Sequence, residues 1–474
     1  MLNQVFFLSA FFFYLTPLLA QLEETKLFTN SPLEMQEFGI SLAANDAFLV
    51  VGAPETHLIG GKGRAFVFEN IDDIWVQQTV LIANDAELED IFGNAIAIFE
   101  NRVVVGAQWD DDNGNRSGSA YVYIYDGENW TQEAKIVPSD GEPLSNFGKS
   151  VAISNNRIAI AASNSVYVYK LMDETWEEEI KLVNNSSEDN LGNSIDLNDN
   201  RLVTGAGPQS FIISVYVYKL FDEQWEFEAK LQADDGNDND RFGQSLAIQD
   251  QKIIVGSPFN LNTGAVYEFS FEEENWIQTN KITGSNNSPF EKFGTSVYIY
   301  NDDLLIGAVG DDFLGKVYNF HYSAEQWNEM WIAQSNETSP VGFGRDVVYS
   351  SGFAVTGAPD DSQFGNSNGA IFLYQDITSS IENNEIQSSA SLSQNSPNPF
   401  RELSFIECEI NQKVDVSLII YTIDGKIQSV LMDGNYPPGT YRFQIDAADL
   451  VGSAYVYILQ YNGKQIVKKM VVEH

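Results

Sequence analysis

Apolar and polar positions recur along this chain in a fixed order. The clearest copy runs from Phe242 to Trp276, FGQSLAIQDQKIIVGSPFNLNTGAVYEFSFEEENW. It holds a Phe-Gly pair, an apolar run, a polar turn, a second run closing on Gly256-Ser257-Pro258, a loop, a third run and a Trp. Short apolar runs split by turn residues predict strands, here three and the start of a fourth. The Phe-Gly position recurs at Phe38-Gly39, Phe92-Gly93, Phe147-Gly148, Leu191-Gly192, Phe242-Gly243, Phe293-Gly294 and Phe343-Gly344, at spacings of 54, 55, 44, 51, 51 and 50. Gly-Ala-Pro or a relative ends each second run, from Gly52-Ala53-Pro54 to Gly357-Ala358-Pro359, and Trp75, Trp130, Trp176, Trp225, Trp276 and Trp327 open fourth runs. Seven units of this length, each with four strands, predict an all-β fold, a seven-bladed β-propeller over residues 21–376. Its ends complement each other. The seventh unit stops after its third run, Ile371 to Tyr374, while Glu24-Thr25-Lys26-Leu27 matches the fourth-run ending Glu228-Ala229-Lys230-Leu231. Residues 22–28 are therefore expected to close the last blade and hide its free edge.

Phe-Gly followed by Gly-Ala-Pro in units of this size resembles the FG-GAP repeats of integrin α-subunit propellers and their bacterial relatives. The resemblance covers residues 22 to about 376, and it implies an extracellular binding or adhesion propeller. Integrin-type blades often carry an Asp-rich calcium loop between the first two strands. Here those hairpins are short, as at Asn45-Asp46 and Asn155-Asn156, so that calcium site does not carry over.

Residues 377–396 hold seven Ser, no aromatics and no strand pattern, and read as a flexible linker. Strands are expected again at Leu403–Ile410, Val414–Tyr421, Tyr441–Ile445, Tyr455–Tyr461 and Gln465–Val472, a small C-terminal β-sandwich. The opening Asn395-Ser396-Pro397-Asn398-Pro399-Phe400, the Pro438-Gly439-Thr440-Tyr441 segment and the Lys468-Lys469 ending resemble the C-terminal sorting domain of type IX secretion. For residues 397–474 that resemblance implies an outer-membrane export signal read by the secretion machinery of a Gram-negative bacterium. At the other end, residues 1–20 are apolar from Val5 to Leu15 and end on Ala20 before polar Gln21, as a cleavable signal peptide does. No second apolar stretch is long enough for a transmembrane anchor. The only cysteine, Cys408, excludes an intramolecular disulfide and is expected in a core.

Charge narrows the partners. Of the formal net charge of -41, residues 397–474 account for only -2, leaving -39 on the rest. Such a surface repels nucleic acid and anionic lipid, although solubility alone also accounts for it. The variable loops, those between second and third strands and between blades, share one face and contain QWDDDNGNRSGS, VGDDFL, PDDSQFGNSN and ADDGNDNDR. An aromatic beside carboxylates suits a sugar ring or a basic protein patch. The candidate ligand residues are Trp109, Asp110, Asp111, Asp112, Phe259, Asp311, Asp312, Phe313, Asp360 and Asp361; the alternative for each aromatic is that it folds back to pin its own loop. Asp235, Asn237 and Asn239 have calcium-loop spacing, but Asp240 stands where Gly is needed and Leu246 where Glu is needed, so neither a metal nor another cofactor is expected. With His57, His321 and His474 scattered, no catalytic set suggests itself. The reading is a secreted or cell-surface, non-enzymatic module binding glycan or protein; the alternative is a polysaccharide hydrolase or lyase using the acidic face.

Overall fold

The computed structural model describes residues 22–30, 35–56, 61–71, 74–184, 190–207, 214–286, 288–310, 315–335, 342–363, 366–376, 390–393, 395, 397–410, 413–422, 426–450, 454–461 and 464–472. The chain divides into two compact units, residues 1–377 and 378–474.

In the first unit each predicted repeat becomes a four-stranded antiparallel sheet, and the described residues contain seven of them. The first holds Leu42–Ala44, Phe48–Ala53, Arg64–Ile71 and Ile74–Leu81 in that order. In the seventh, Val347–Ser350, Phe353–Ala358 and Ala370–Asp376 are completed by Leu22–Leu27, which pairs antiparallel with Ala370–Asp376 so that Thr25 faces Leu373. The innermost strands pack in succession: Leu42–Ala44, Ala95–Phe99, Val151–Ser154, Ile195–Leu197, Ser245–Gln249, Phe293–Tyr300 and Val347–Ser350, which returns to Leu42–Ala44. The arrangement is consistent with a propeller-like repeat fold.

The repeated residues explain this packing. Each Phe of the Phe-Gly pair is buried, with its ring centroid 5.0–6.3 Å from two aromatics of its sheet's third strand, mostly edge to face, as Phe92 meets Tyr121 and Tyr123. Where Leu191 replaces Phe, Phe227 of the outer strand meets Tyr216 and Tyr218 instead. The Gly that follows lies at positive φ, +99° at Gly39 and +95° at Gly93. The second-strand glycine sits at the seam with the next sheet. A β-carbon on Gly52, Gly106, Gly205, Gly256, Gly307 or Gly357 would fall 1.9–2.3 Å from the carbonyl oxygen of Gly93, Gly148, Gly243, Gly294, Gly344 or Gly39 respectively. The seam from seventh sheet to first is thus built like the others.

The Trp residues brace the circumference. Trp176, Trp225 and Trp276 donate their indole N–H to Glu133, Glu179 and Glu228 of the preceding sheet, at 2.8–3.0 Å. Those glutamates are held in turn by Arg102, Arg157 and Arg201. Burial pushes the three carboxyls up, but the guanidinium and indole donors outweigh it and hold them below the usual range. Their stabilisation is therefore present above the unfolded carboxylate value and fades as pH falls through the lowered folded one.

In the second unit a three-stranded sheet, ordered Ala390–Leu392, Leu403–Ile410 and Gly439–Asp446, shares a core with a four-stranded sheet, ordered Ile427–Tyr436, Val414–Thr422, Ala454–Tyr461 and Lys464–Val471. Cys408 is buried there, and burial pushes its thiol up to about 11. Two strands were not expected. Ala390–Leu392 lies inside the stretch read as a linker and pairs with the end of Leu403–Ile410, while residues 377–389 lie outside the described set. Ile427–Tyr436 escapes the pattern because it is an edge strand with two register shifts, with Val430 exposed and Met432 deeply buried.

Gly357→Ala tests the closing seam. It should cost about 2–3 kcal/mol of unfolding free energy, since backbone cannot easily yield to the new methyl. Gly141→Ala, whose β-carbon meets Pro138 Cγ at 3.1 Å, should stay within about 0.5 kcal/mol. Equal urea midpoints for the two variants would rule out a backbone-limited seam.

Candidate functional site

The loops between second and third strands lie beside the loops that lead into the next sheet. Met35 N–H donates to Asn366 O, Glu89 to Gly61 O, Leu144 to Asn115 O and Phe290 to Asn262 O, at 2.6–2.9 Å. At three of the crossings an acid two residues before the Phe-Gly pair ties the loop. Asp90, Asp240 and Glu291 accept the N–H of Glu87, Asn237 and Ser288 on their side chains, and their carbonyls accept from Trp109, Phe259 and Gly310. Asp90 is buried without a cation of its own, and burial pushes its carboxyl up to about 6.

Lysines near the end of the outer strands then reach over this face. Lys135 Nζ lies 2.7 Å from Asp85 Oδ2 and 2.9 Å from Asp110 Oδ2, pairs also with Asp112, and sits 5.2 Å from the Tyr121 ring. Lys181 holds Asp140 at 2.7 Å over Tyr167, Lys281 holds Asp235 at 2.5 Å over Tyr267, and Lys26 holds Asp361 at 2.9 Å over Phe372. The tyrosine hydroxyls of Tyr121, Tyr167 and Tyr267 donate to Asp110, Asp140 and Asp235. The lysines hold Asp140 and Asp235 below the ordinary carboxylate range.

This arrangement corrects part of the expected ligand set. Asp110 and Asp361 turn inward, buried against Tyr121 and Lys135 in one case and Lys26 in the other. Charges so placed need internal partners and are not free for a ligand. Asp112 is exposed but paired with Lys135, Asp111 is exposed, and Asp360 is half-buried. Asp311, Asp312 and Phe313 lie outside the described residues. Trp109 and Phe259 are half-buried and equivalent, each three residues after the second-strand glycine of its own sheet. Each carries a cation on its ring: Arg116 at 4.1 Å on Trp109, and Arg241 at 4.4 Å on Phe259. Beside them Leu144, Leu261 and Phe290 are exposed.

The two arginines and the clamping lysines were missed. The signal for the lysines is the recurring Glu-x-Lys of the outer strand, as in Glu133-Ala134-Lys135 and Glu228-Ala229-Lys230; Arg116 and Arg241 lie in loops outside that pattern. Asp235, the first residue of the weighed calcium loop, is paired with Lys281, and Asp240, which stands where that loop needs Gly, accepts from Asn260. Among the described residues no group of three or more His, Cys, Asp or Glu could hold a metal ion. No helix among them is long and apolar enough to cross a membrane.

Comparison with known proteins agrees with the repeat. A family model described as FG-GAP repeat matches residues 75–123, 130–169, 225–269 and 276–320. No curated protein matches. Among solved structures, a putative 6-phosphogluconolactonase from Bacteroides uniformis ATCC 8492 aligns at a TM-score of 0.48 with 9% identity, over 84% of this chain and 100% of its own. One from Bacteroides fragilis NCTC 9343 aligns at 0.48 with 8% identity, over 87% and 100%.

The lysine clamp can be tested directly. Lys135→Met leaves Asp110 buried without a counter-charge and should cost about 3 kcal/mol. Adding Asp110→Asn should recover more than half of that, because the neutral amide still accepts from Tyr121. Lys181→Met, whose partner Asp140 is exposed, should cost about 0.5 kcal/mol. A Lys135→Met chain as stable as the parent would show that the pair contributes nothing.

Proposed function

We propose that the seven sheets are the blades of a seven-bladed β-propeller whose loop face binds a glycan or protein outside the cell, without catalysis. The carrying observation is the pair of arginine-covered aromatics at equivalent loop positions, Trp109 with Arg116 and Phe259 with Arg241, next to exposed Leu144, Leu261 and Phe290. A guanidinium lying flat on a ring keeps its in-plane N–H donors for a ligand while the ring edge and neighbouring apolar groups offer contact area. Arginine and aromatic residues of this kind dominate binding energy at interfaces. The sheets beneath hold the loops rigidly, which limits the ordering cost of association. Use of the loop carboxylates as a hydrolase or lyase has less support, since Asp85, Asp110, Asp112, Asp140, Asp235 and Asp361 are each bonded to a lysine.

The same reading takes residues 1–20 as a secretory signal. The second unit, with its two sheets around one core, serves as a β-sandwich sorting domain for type IX secretion, so that the mature chain is released or held at the surface of a Gram-negative cell. Its partners are then the secretion machinery and a surface ligand, and no cofactor is required.

A glycan and surface-protein array probed with the mature chain should give ligands whose binding falls about tenfold or more in Trp109→Ala or Phe259→Ala, with Phe221→Ala, an exposed residue at the end of a third strand, unchanged. Undiminished binding by both variants would move the site elsewhere, and release of reducing sugar from polysaccharide would replace the binding reading with catalysis.

A further inference from the structure

The innermost strands of the seven sheets surround a channel of about 470 Å³. Those strands are sheet edges, so backbone N–H and C=O groups line it. Its titratable lining groups are Lys149, Asp196, Tyr298 and Asp346. Both carboxylates are already committed. Asp196 accepts the N–H of Leu197 and of Ile248 in the next sheet, each at 2.8 Å. Asp346 accepts those of Val347 at 2.9 Å and, across the closing seam, of Leu42 at 2.7 Å. Burial brings each up to about 6.

Lys149 is different. It follows the Phe147-Gly148 pair, at a position taken by Asn94 and Asn193 in the adjoining repeats and, in the seventh, by Arg345, which is exposed and does not line the channel. Among the described residues no acid, hydrogen bond or ring contact engages its amine. Burial alone brings it down to about 8, with no carboxylate acting in the other direction. The arginines on adjoining strands, Arg102 and Arg157, are spoken for by Glu133 and Glu179. A chain with a formal charge of -41 thus leaves one cation unpaired inside its channel, although acids are plentiful and the outer-strand lysines all have partners. An unpaired, partly desolvated ammonium is costly, and an oxyanion beside it offsets that cost. The cavity has the size of a small-molecule site.

We propose that the channel binds a small oxyanion, a carboxylate or a phosphate, through the Lys149 ammonium and the N–H groups of the surrounding strand edges. This site is separate from the loop face and does not depend on it. Binding draws on the charged amine, so it should be strong at pH 7 and lost at pH 9.5, above the value burial gives Lys149.

Melting of the mature protein at pH 7 in chloride, acetate or inorganic phosphate of equal ionic strength tests it. Acetate, phosphate or both should raise Tm by about 2–4 °C over chloride at saturation, and whichever acts identifies the anion class. Lys149→Met should abolish the rise while melting in chloride no lower than the parent, because it removes a half-buried unpaired charge. As an independent measure, reductive methylation of the parent followed by peptide mass spectrometry should show Lys149 labelled at least threefold more slowly with the active anion present. A rise retained in Lys149→Met, no rise with either anion, or labelling indifferent to both would overturn the proposal.

Discussion

At six of the seven seams the carbonyl oxygen of a Phe-Gly glycine occupies nearly the space where the β-carbon of the neighbouring second-strand residue would lie, 1.9 Å away for Gly106 and Gly357. Two backbones in contact leave no room for side chains, and this constraint repeats with the sheets. It requires glycine on both sides, one to admit the approach and one, at positive φ, to turn its carbonyl towards the seam. Once the glycines are fixed, the preceding Phe is directed into the third-strand aromatics of its own sheet. Hydroxyls of Ser41, Ser194, Ser245 and Ser296 then satisfy the glycine carbonyls of Gly93, Gly243, Gly294 and Gly344. At the third sheet Ala161 stands where glycine is usual, and the following pair begins with Leu191. The two departures occur at one seam, as expected if the contact is a unit.

Close backbone packing also governs charge. Loops pressed against one another bury carboxylates that form turns and crossings, and each buried carboxylate needs a donor. The outer-strand lysines and third-strand tyrosines supply those donors, which places the ammonium between an aromatic face and an acid in sheet after sheet. Part of the acidity that looked like a ligand-binding surface is therefore paired with scaffold lysines, and Asp110 and Asp361 are buried in it. What remains distinctive is local: a guanidinium on an aromatic ring in two loops and one unpaired amine in the channel.

Sequence pattern made the scaffold legible because backbone contact tolerates few residues. Phe-Gly, Gly-Ala-Pro and Trp were readable at a nearly constant period, and Glu24-Thr25-Lys26-Leu27 identified its pairing with Ala370–Asp376 through likeness to another outer strand. The loops were not readable in this way. Asp110 and Asp111 are adjacent and chemically alike, yet one is buried and the other exposed, a difference set by Lys135 on a strand 25 residues after Asp110. Ala390–Leu392 was hidden because three residues with serine neighbours carry no period, and only the edge of Leu403–Ile410 makes them a strand.

The ring is closed inside the seventh sheet, where Leu22–Leu27 pairs with Ala370–Asp376 without the hairpin that joins third and outer strands elsewhere, so its seam with the first sheet rests on an outer strand held by pairing alone. One brace is missing there: Trp75 Nε1 is buried with no hydrogen-bond partner, and Glu24, which stands where Glu133 and Glu228 stand in their sheets, accepts from Tyr374 instead. Other contacts stand in its place. Asp346 accepts from Leu42 N–H where five of the other six repeats have serine, Ser350 and Ser351 donate to the carbonyls of Asn45 and Asp46 at the opposite hairpin, and Phe38 bridges Gly369. Lys26 adds a pair with Asp361 from the strand that closes the sheet. A ring made from one chain holds its last seam only by contacts that persist when the termini fray. Those named here span the inner strand, the loop face, the opposite hairpin and the outer strand, so opening at either edge leaves the others in place.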